Sequence, residues 1–417
     1  MPPRNMRAID VQGSELLMSA EIIAFRKPDK PAVKLATALP SRRIDALDVL
    51  RGMCVMGMIL VAYAGEWNTR FGVLQHADWH GVALADMIFP GFLFCAGAAL
   101  PLSLSHRAAR STRTGLSLHI LWRAVALIAL GVALNAIPAA IWGHLRLPGI
   151  LQRIGLCYGV AGAFCLAVGR KSDSDFSMKM WPVAITATIV LAAYAAMLLV
   201  WKTGACAGAC FDQVNALPAV IDRAVFTPTF MWQYGTFNGA VTYDPEGLVS
   251  TFGALGNVLI GVLTTLYIRR DGIKSALPGL VMLGLVLFVF GAALDAQMPI
   301  VKKIWTPSFT MVSAGVSLVV FSLLAVIADV FKARSWAYPI RIFGSNATLA
   351  FVGISLIDVV MQLPLLGGKS AHDSLAAWLA GAISDGRIAS VAYSAGLLLL
   401  LGLLLWPLYI KRWFVKI

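Results

Sequence analysis

The stretch LQHADWHGVALADMIFPGFLF, residues 74–94, changes from polar to apolar within a few residues. Its first part contains two histidines, a tryptophan and two aspartates, and its second part begins an apolar run over residues 83–104. A run of about 20 apolar residues is what a helix needs to cross a hydrocarbon core of about 30 Å. The stretch therefore predicts a membrane-spanning helix with polar, titratable side chains at its mouth.

The composition of the whole chain agrees with a membrane protein. Of the 417 residues, 59% are hydrophobic and only 13% are charged, whereas soluble domains carry about 25% charged residues. Runs of spanning length occur ten times, at residues 45–64, 83–104, 118–140, 149–169, 181–201, 248–268, 276–295, 307–329, 340–362 and 388–410. The sequence predicts an all-α, polytopic integral membrane protein with about ten transmembrane helices.

The basic residues indicate how these helices are oriented. Although the formal net charge is +13, Lys and Arg lie in short clusters at every second connection, which marks the cytoplasmic side and gives no reason to expect a nucleic-acid partner. These clusters are Arg42/Arg43, Arg107/Arg110/Arg113, Arg170/Lys171/Lys179, Arg269/Arg270/Lys274, Lys332/Arg334 and Lys411/Arg412/Lys416. Both termini are thus predicted to be cytoplasmic, and loops 65–82, 141–148, 202–247, 296–306 and 363–387 to lie outside.

Two further segments complete the predicted organisation. Residues 1–43 contain no spanning run and no secretory signal, so we expect a disordered cytoplasmic leader before a transmembrane domain at 44–417. The long extracytoplasmic loop 202–247 contains Cys206 and Cys210, which favour a small disulfide over a metal pair, because no His or further Cys accompanies them in that loop. No metal site is predicted.

Polar residues gather at the outer ends of the predicted helices. Several have ordinary structural explanations: Asp244 suits a helix N-cap, Glu246 suits the helix dipole, and the lysines and the tryptophan suit the membrane interface. Asp86 and Arg153 lie within spans, where a charge costs about 2.5–3.5 kcal/mol, so each needs a partner. We expect Arg153 to pair with Glu246, or else with Asp86. The full set is Asp86, Arg146, Gln152, Arg153, Asp244, Glu246, Lys302, Lys303 and Trp305.

His76 is a candidate for proton transfer. With an unperturbed pKa near 6.5, imidazole is the side chain best suited to move protons at neutral pH, and a carboxylate can fix its tautomer. Asp86, ten residues later, can be that carboxylate only if the loop folds back over the second span. A purely structural role for this loop histidine stays open.

Five motifs resemble those of a known family. HADWHGVALADMIFPGFLFCAG, LRLPGILQRIGLCY, YDPEGL, KKIWTPSF and FGSNA occur in the order and approximate spacing of the heparan-α-glucosaminide N-acetyltransferase family of membrane acyltransferases. NALPAVIDR is similar to that family's long outer loop, and the resemblance runs from about Arg43 to the ninth span. It implies transfer of an acetyl group from cytoplasmic acetyl-CoA to an amino sugar or envelope glycan on the other face.

The resemblance also implies residue roles. His76 matches the catalytic histidine, the first residue of the family's H-x-x-W motif, and Asp86 matches the family's aspartate in A-D-x-x-F-P. Arg153, Asp244 and Glu246 match polar positions of the membrane cavity. We predict a substrate- and donor-binding set of Arg146, Gln152, Arg153, Asp244, Glu246, Lys303, Trp305 and Asn346.

The sequence departs from the family pattern at two places. Family members commonly have Asn-Asn-Pro-Gly at the end of the first helix, where this chain has Ala62, Tyr63, Ala64 and Gly65, so Tyr63 or Asn68 would have to replace the amide. The chain also has no counterpart of the large lumenal domain of lysosomal members. Heparan is therefore not the expected acceptor.

The resulting hypothesis is a bacterial inner-membrane acyltransferase with His76 as general base or transient acyl carrier. Its expected partners are acetyl-CoA, the glycan acceptor, membrane lipids and a second copy of the chain. Two alternatives stay open, namely a transporter of a small polar solute and an inactive scaffold relative. A transporter would show solute flux without thiol release.

Overall fold

The structure, a computed structural model, describes residues 44–415 except 174 and 365–367, so the predicted leader at 1–43 lies outside the described residues. The described chain is almost entirely helical. Its helices are α1 (Asp45–Ala62), α2 (Ile88–Ala108), α3 (Arg113–Trp142), α4 (Ile150–Val168), α5 (Met180–Val200), α6 (Leu217–Phe226), α7 (Thr251–Asp271), α8 (Ile273–Ala293), α9 (Pro307–Ala325), α10 (Tyr338–Ser345), α11 (Ala347–Gln362), α12 (Ala371–Ala382) and α13 (Gly386–Ile410). The prediction of an all-α polytopic membrane protein is confirmed.

Each of the ten predicted spans coincides with a helix or a helix pair. Within the described residues, eight helices are long and apolar enough to cross a membrane, or nine if the bent pair α10–α11 counts as one span. The remaining span, α1, has 18 residues but carries Asp45, Asp48 and Arg51 near its start. Its apolar part is therefore shorter than a bilayer core requires.

The ninth span is broken, which the apolar run did not reveal. Helices α10 and α11 meet at an angle of 72°, and the break falls at Asn346, whose backbone angles of φ −126° and ψ 46° are not helical. Gly344 lies against the backbone of α1, since a Cβ there would come within 2.0 Å of Asp48 O. Close packing on α1 thus positions the first half of the span.

Helix α7 lies at the centre of the bundle and α3 at its edge, because α7 is the most enclosed span and α3 the least. Helices α2 and α7 approach until their backbones nearly touch. A Cβ at Gly97 would lie 1.9 Å from Val258 O, and one at Gly261 would lie 2.1 Å from Phe94 O. Small residues permit this approach in membrane helices, where packing rather than water exclusion drives association.

The bundle has two chemically distinct ends. We call the end near the C-terminus of α1 and the N-termini of α2, α4, α7 and α9 the histidine end, since His76 lies there. The opposite end, which carries Arg107, Arg113, Arg269 and Arg334, is the arginine end. Arg269 binds Asp175 there, and Arg334 binds Asp45 at 2.8 Å.

Three connections form a cap over the histidine end. Gly81 donates to Ile300 O at 2.9 Å, and the Trp79 indole donates to Phe211 O at 2.7 Å. Trp79, Tyr243, Val301 and Ile304 bury one another. The connection with residue 79, the connection with residues 211 and 243, and the connection with residue 301 are thereby held together, although they are far apart in the sequence.

The sequence missed several short elements in the connections between the spans. They are α6, α12, and two small hairpins, β1 (Arg170–Lys171) with β2 (Phe176–Ser177) and β3 (Thr236–Phe237) with β4 (Ala240–Val241). Helices of 10 and 12 residues are too short to give a spanning signal. The structure has a Cys206–Cys210 disulfide with a Cα–Cα distance of 5.6 Å, and Asp212 lies beside it.

Candidate active site

His76, Asp86 and Lys302 form a compact group at the histidine end. His76 Nδ1 lies 2.8 Å from Asp86 Oδ1, and Lys302 Nζ lies 3.0 Å from the same oxygen and 3.0 Å from His76 Nδ1. Since a carboxylate only accepts hydrogen bonds, the proton of a neutral His76 belongs on Nδ1. Nε2 then has a free lone pair, and within the described residues it has no hydrogen-bond partner.

The loop folds back over α2, which is the condition that the sequence set for a His76–Asp86 pair. Asp86 lies in a single turn over Leu84–Met87, directly before α2. Its second oxygen, Oδ2, accepts the backbone N–H groups of Ala77 at 3.1 Å and Ala83 at 2.9 Å. The side chain is only 1% exposed, so these bonds satisfy a carboxylate that burial would otherwise destabilise.

The surroundings favour the neutral form of His76. Burial lowers the pKa of His76 below its ordinary value of 6.5, the hydrogen bond to Asp86 opposes this, and the positive charge of Lys302 lowers the pKa further. The side chain is nevertheless 38% exposed. An imidazole that is unprotonated at neutral pH and accessible on one side can accept a proton from a substrate.

Arg146 is the centre of a second charged group. It binds Asp244 through two nitrogens, with Nε at 3.0 Å from Oδ2, and it also binds Glu246. Burial alone would lower the pKa of Arg146, but the two carboxylates raise it above its ordinary value. Asp244 is fully buried and also accepts the backbone N–H of Trp232 at 2.8 Å. This network joins the connection before α4 to the one before α7.

The predicted pairing of Arg153 with Glu246 or Asp86 is wrong. Arg146 binds Glu246, and the His76 group binds Asp86, so both carboxylates are already used. Arg153, which is 1% exposed, instead donates to Gly247 O at 2.9 Å and to Ser250 Oγ. Its guanidinium lies 5.0 Å from the ring centre of Trp305, and its Nε and Nη1 have no partner in the described structure. Arg146 and Arg153 are seven residues apart, and which of them reaches Glu246 depends on where α4 begins.

The remaining predicted binding residues are dispersed. Lys303 Nζ lies 3.3 Å from the Tyr243 hydroxyl, close to the His76 group. Trp305 is buried and donates to Asn257 at 3.0 Å, and Gln152 donates to Leu147 O at 3.0 Å. Asn346 lies beside the start of α1, toward the arginine end, where it donates to Trp413 O and accepts from Val415 N.

In the described structure, neither residue considered as a replacement for the family's asparagine is hydrogen-bonded to His76. The Tyr63 hydroxyl lies 3.3 Å from Ser355 Oγ, and Asn68 donates its backbone N–H to Glu66. The side chains that the structure places on His76 Nδ1 are Asp86 and Lys302. The sequence had named Lys302 only as part of a basic pair.

A cavity of about 510 Å³ was not predicted from the sequence. It extends from His106 and Arg107 in the last turn of α2 to Ile150 in the first turn of α4, so it runs through much of the bundle. Its basic lining side chains are Arg51, His106, Arg107, His119 and Arg123.

Two of these side chains could have been found from the sequence. His119 and Arg123 are four residues apart and therefore share one face of α3. Ionisable residues within a span are rare and face a cavity or a partner. His119 Nε2 and Arg123 Nε are buried without a hydrogen-bond partner in the described chain, so both are available to a ligand.

Comparisons with known proteins agree with the family resemblance. A family model described as heparan-alpha-glucosaminide N-acetyltransferase, catalytic, matches residues 43–205. The mouse heparan-alpha-glucosaminide N-acetyltransferase is 24% identical over 358 residues, which cover 76% of this chain and 54% of the relative. The human protein of that name is 23% identical over 398 residues, covering 84% of this chain and 59% of the relative. The resemblance is confirmed, and the chain spans less than two thirds of the length of these relatives.

Proposed function

We propose that this chain, which resembles the catalytic region of the heparan-α-glucosaminide N-acetyltransferase family, is a membrane-embedded acetyl-CoA-dependent acyltransferase. The observation that carries the proposal is the His76–Asp86 pair at 2.8 Å with Nε2 left free. The acceptor is an amino sugar or an envelope glycan at the histidine end. We place that end outside a bacterial inner membrane, because the basic clusters at the arginine end mark the cytoplasmic side.

The chemistry follows from the tautomer of His76. The acceptor nitrogen or oxygen attacks the thioester carbonyl carbon, and its proton passes to His76 Nε2. A new C–N or C–O bond forms, the C–S bond breaks, and the leaving CoA thiolate takes up the proton that His76 Nε2 received, which returns the imidazole to its neutral form. Asp86 stabilises the imidazolium that forms, as a carboxylate on Nδ1 does in other acyl-transfer sites.

A covalent route uses the same atoms. Nε2 attacks the thioester carbonyl, CoA leaves, and the acceptor then attacks the acyl-imidazole. Incubation with labelled acetyl-CoA in the absence of acceptor separates the two routes. Label on the His76 peptide supports the covalent route, whereas an unlabelled but active protein supports direct transfer.

The cavity suits the donor. CoA carries several phosphate charges, and five basic side chains line the cavity toward the arginine end. His119 Nε2 and Arg123 Nε lack partners among the described atoms, so a phosphate would satisfy donors that are otherwise buried unpaired. Because the cavity reaches the first turn of α4, a long flexible thioester arm can approach the histidine end from the other side.

The test measures free CoA thiol. Purified protein is supplied with acetyl-CoA and a panel of amino sugars and glycans, and the His76→Ala variant is compared with the wild type. Thiol release that needs both acceptor and His76 supports the proposal. Solute flux in vesicles without thiol release would favour a transporter, and the absence of both would favour an inactive relative.

A second experiment tests the donor cavity. Arg123→Ala should raise KM for acetyl-CoA about tenfold with little change in kcat, since a charged hydrogen bond made equally in ground and transition states contributes to binding only. Arg270→Ala is the matched control, because Arg270 is exposed and bound to Asp271. An unchanged KM in Arg123→Ala would contradict the assignment of the cavity.

A further inference from the structure

Lys302 contacts both partners of the proposed catalytic pair, so its positive charge lies beside both the carboxylate and the imidazole. Its ammonium lies 3.0 Å from Asp86 Oδ1 and 3.0 Å from His76 Nδ1. Nδ1 already carries a hydrogen that points to Asp86, so Lys302 cannot donate to that nitrogen. Its hydrogen bond therefore goes to Asp86, and its charge remains beside the imidazole.

The four hydrogen bonds of Asp86 show that Lys302 completes the group. Oδ2 accepts from Ala77 N and Ala83 N, and Oδ1 accepts from His76 and Lys302. These four donors use the acceptor capacity of a carboxylate. Lys302 is therefore part of the built site and not an adventitious surface contact, and its side chain is only 14% exposed.

We propose that Lys302 is a positioning residue of the His76 centre, whose positive charge balances Asp86 and keeps the imidazole neutral with Nε2 free. This inference rests on the proposed function for its catalytic meaning. With Lys302 present, the three side chains carry no net charge when His76 is neutral. Without it, the same group carries one negative charge, which protonation of His76 would cancel.

The other charged groups around the site do not replace Lys302. Lys303 Nζ donates a hydrogen bond to the Tyr243 hydroxyl. Asp78 acts on Lys303, and Glu246 acts on both lysines, through longer-range charge interactions, and Glu246 is held by Arg146. His80 is exposed and has no hydrogen-bond partner among the described residues. Burial lowers the pKa of Lys302, and the facing carboxylate of Asp86 opposes this.

The charge balance predicts a shift in the titration of His76. Removing a positive charge at hydrogen-bond distance should raise its pKa by about one to two units. Diethyl pyrocarbonate reacts with neutral imidazole, so the rate of His76 modification against pH reports this pKa without any turnover. Tandem mass spectrometry of the peptide distinguishes His76 from His80.

Four variants of the full-length protein separate charge from structure. Lys302→Met and Lys302→Gln should both titrate about one to two pH units higher than the wild type, although Gln keeps a hydrogen-bond donor for Asp86. Lys302→Arg should titrate like the wild type. Lys303→Met, the matched control, should shift less, because Lys303 lies on Tyr243. If Lys302→Met does not fold, the comparison of Lys302→Gln with Lys302→Arg still tests the proposal.

Two results would overturn the inference. A His76 titration that is unchanged in both Lys302→Gln and Lys302→Met would show that the charge of Lys302 does not act on the imidazole. If Lys302→Gln titrates like the wild type while Lys302→Met does not, Lys302 acts only as a hydrogen-bond donor and not through its charge. Because the titration needs no acetyl-CoA, a protein without thiol release can still show the shift, and failure of the proposed function remains a separate result.

Discussion

At the scale of single residues, His76 is the group whose replacement tests the proposed chemistry most directly. His76→Ala should lower acetyl-dependent CoA release by about 10²–10⁴-fold, the usual effect of removing a general base. Thermal stability in detergent should change little, since 38% of the side chain is exposed. His80→Ala is the control, because His80 is exposed and lies four residues away in the same loop. Wild-type turnover in His76→Ala would refute the role.

The pH dependence of the rate tests the same residue. The reactive form of His76 is unprotonated, so activity should rise with pH as the imidazole loses its proton. Burial lowers the pKa of His76 below 6.5, so the midpoint of this rise should also lie below 6.5. The profile of kcat/KM measures it, provided that the chemical step limits the rate. A midpoint well above 6.5 would mean that another group titrates.

Arg146 is expected to matter more for stability than Arg153. Arg146→Ala leaves the buried Asp244 and the partly buried Glu246 without the guanidinium that binds both, which should cost about 3 kcal/mol in the free energy of unfolding. Addition of Glu246→Gln should recover part of this loss. Arg153→Met is the matched contrast, because no carboxylate binds Arg153, and it should cost less. Thermal unfolding in detergent measures all four proteins, and equal losses in both arginine variants would contradict the assignment.

At the scale of helices, the contact between α2 and α7 depends on the absence of a side chain at Gly97. Gly97→Ala should lower the free energy of unfolding by about 1–3 kcal/mol, because the methyl group would press on Val258 O and push the helices apart. Gly396→Ala in α13 is the matched control, since a Cβ there meets nothing within 4 Å. It should be neutral or slightly stabilising. Equal stability of Gly97→Ala and the wild type would mean that the two helices can separate without cost.

At the scale of the whole molecule, the orientation in the membrane decides which face receives the acceptor. In a Cys206→Ser/Cys210→Ser background, an impermeant thiol reagent applied to intact cells should label Asn68→Cys and leave Arg110→Cys unlabelled. Both sites are exposed, and the other four cysteines are buried. Lysed cells, in which both sites should react, provide the control. Labelling of Arg110→Cys in intact cells would place the His76 centre on the cytoplasmic face.

The sequence by itself determined the positions of the long apolar helices, because a bilayer requires about 20 apolar residues per span and this signal is local. It also indicated His76 and Asp86 as a candidate pair, which the structure brings together. It could not separate Arg146 from Arg153 as the partner of Glu246, since helix α4 begins at Ile150 and leaves Arg146 in the preceding loop. The sequence also did not predict that the segments around residues 79, 211, 243 and 301 pack together as one cap.

The tertiary structure alone decided the contacts between residues distant in the chain. Lys302 reaches Asp86 because a bridge between Gly81 and Val301 joins two loops more than two hundred residues apart. The cavity exists because α1, α2, α3, α4 and α11 leave space between them. The sequence of any one of these helices does not reveal that space. Local hydrophobic pattern therefore fixed the elements, whereas the charge balance of the candidate site depends on how packing brings the loops together.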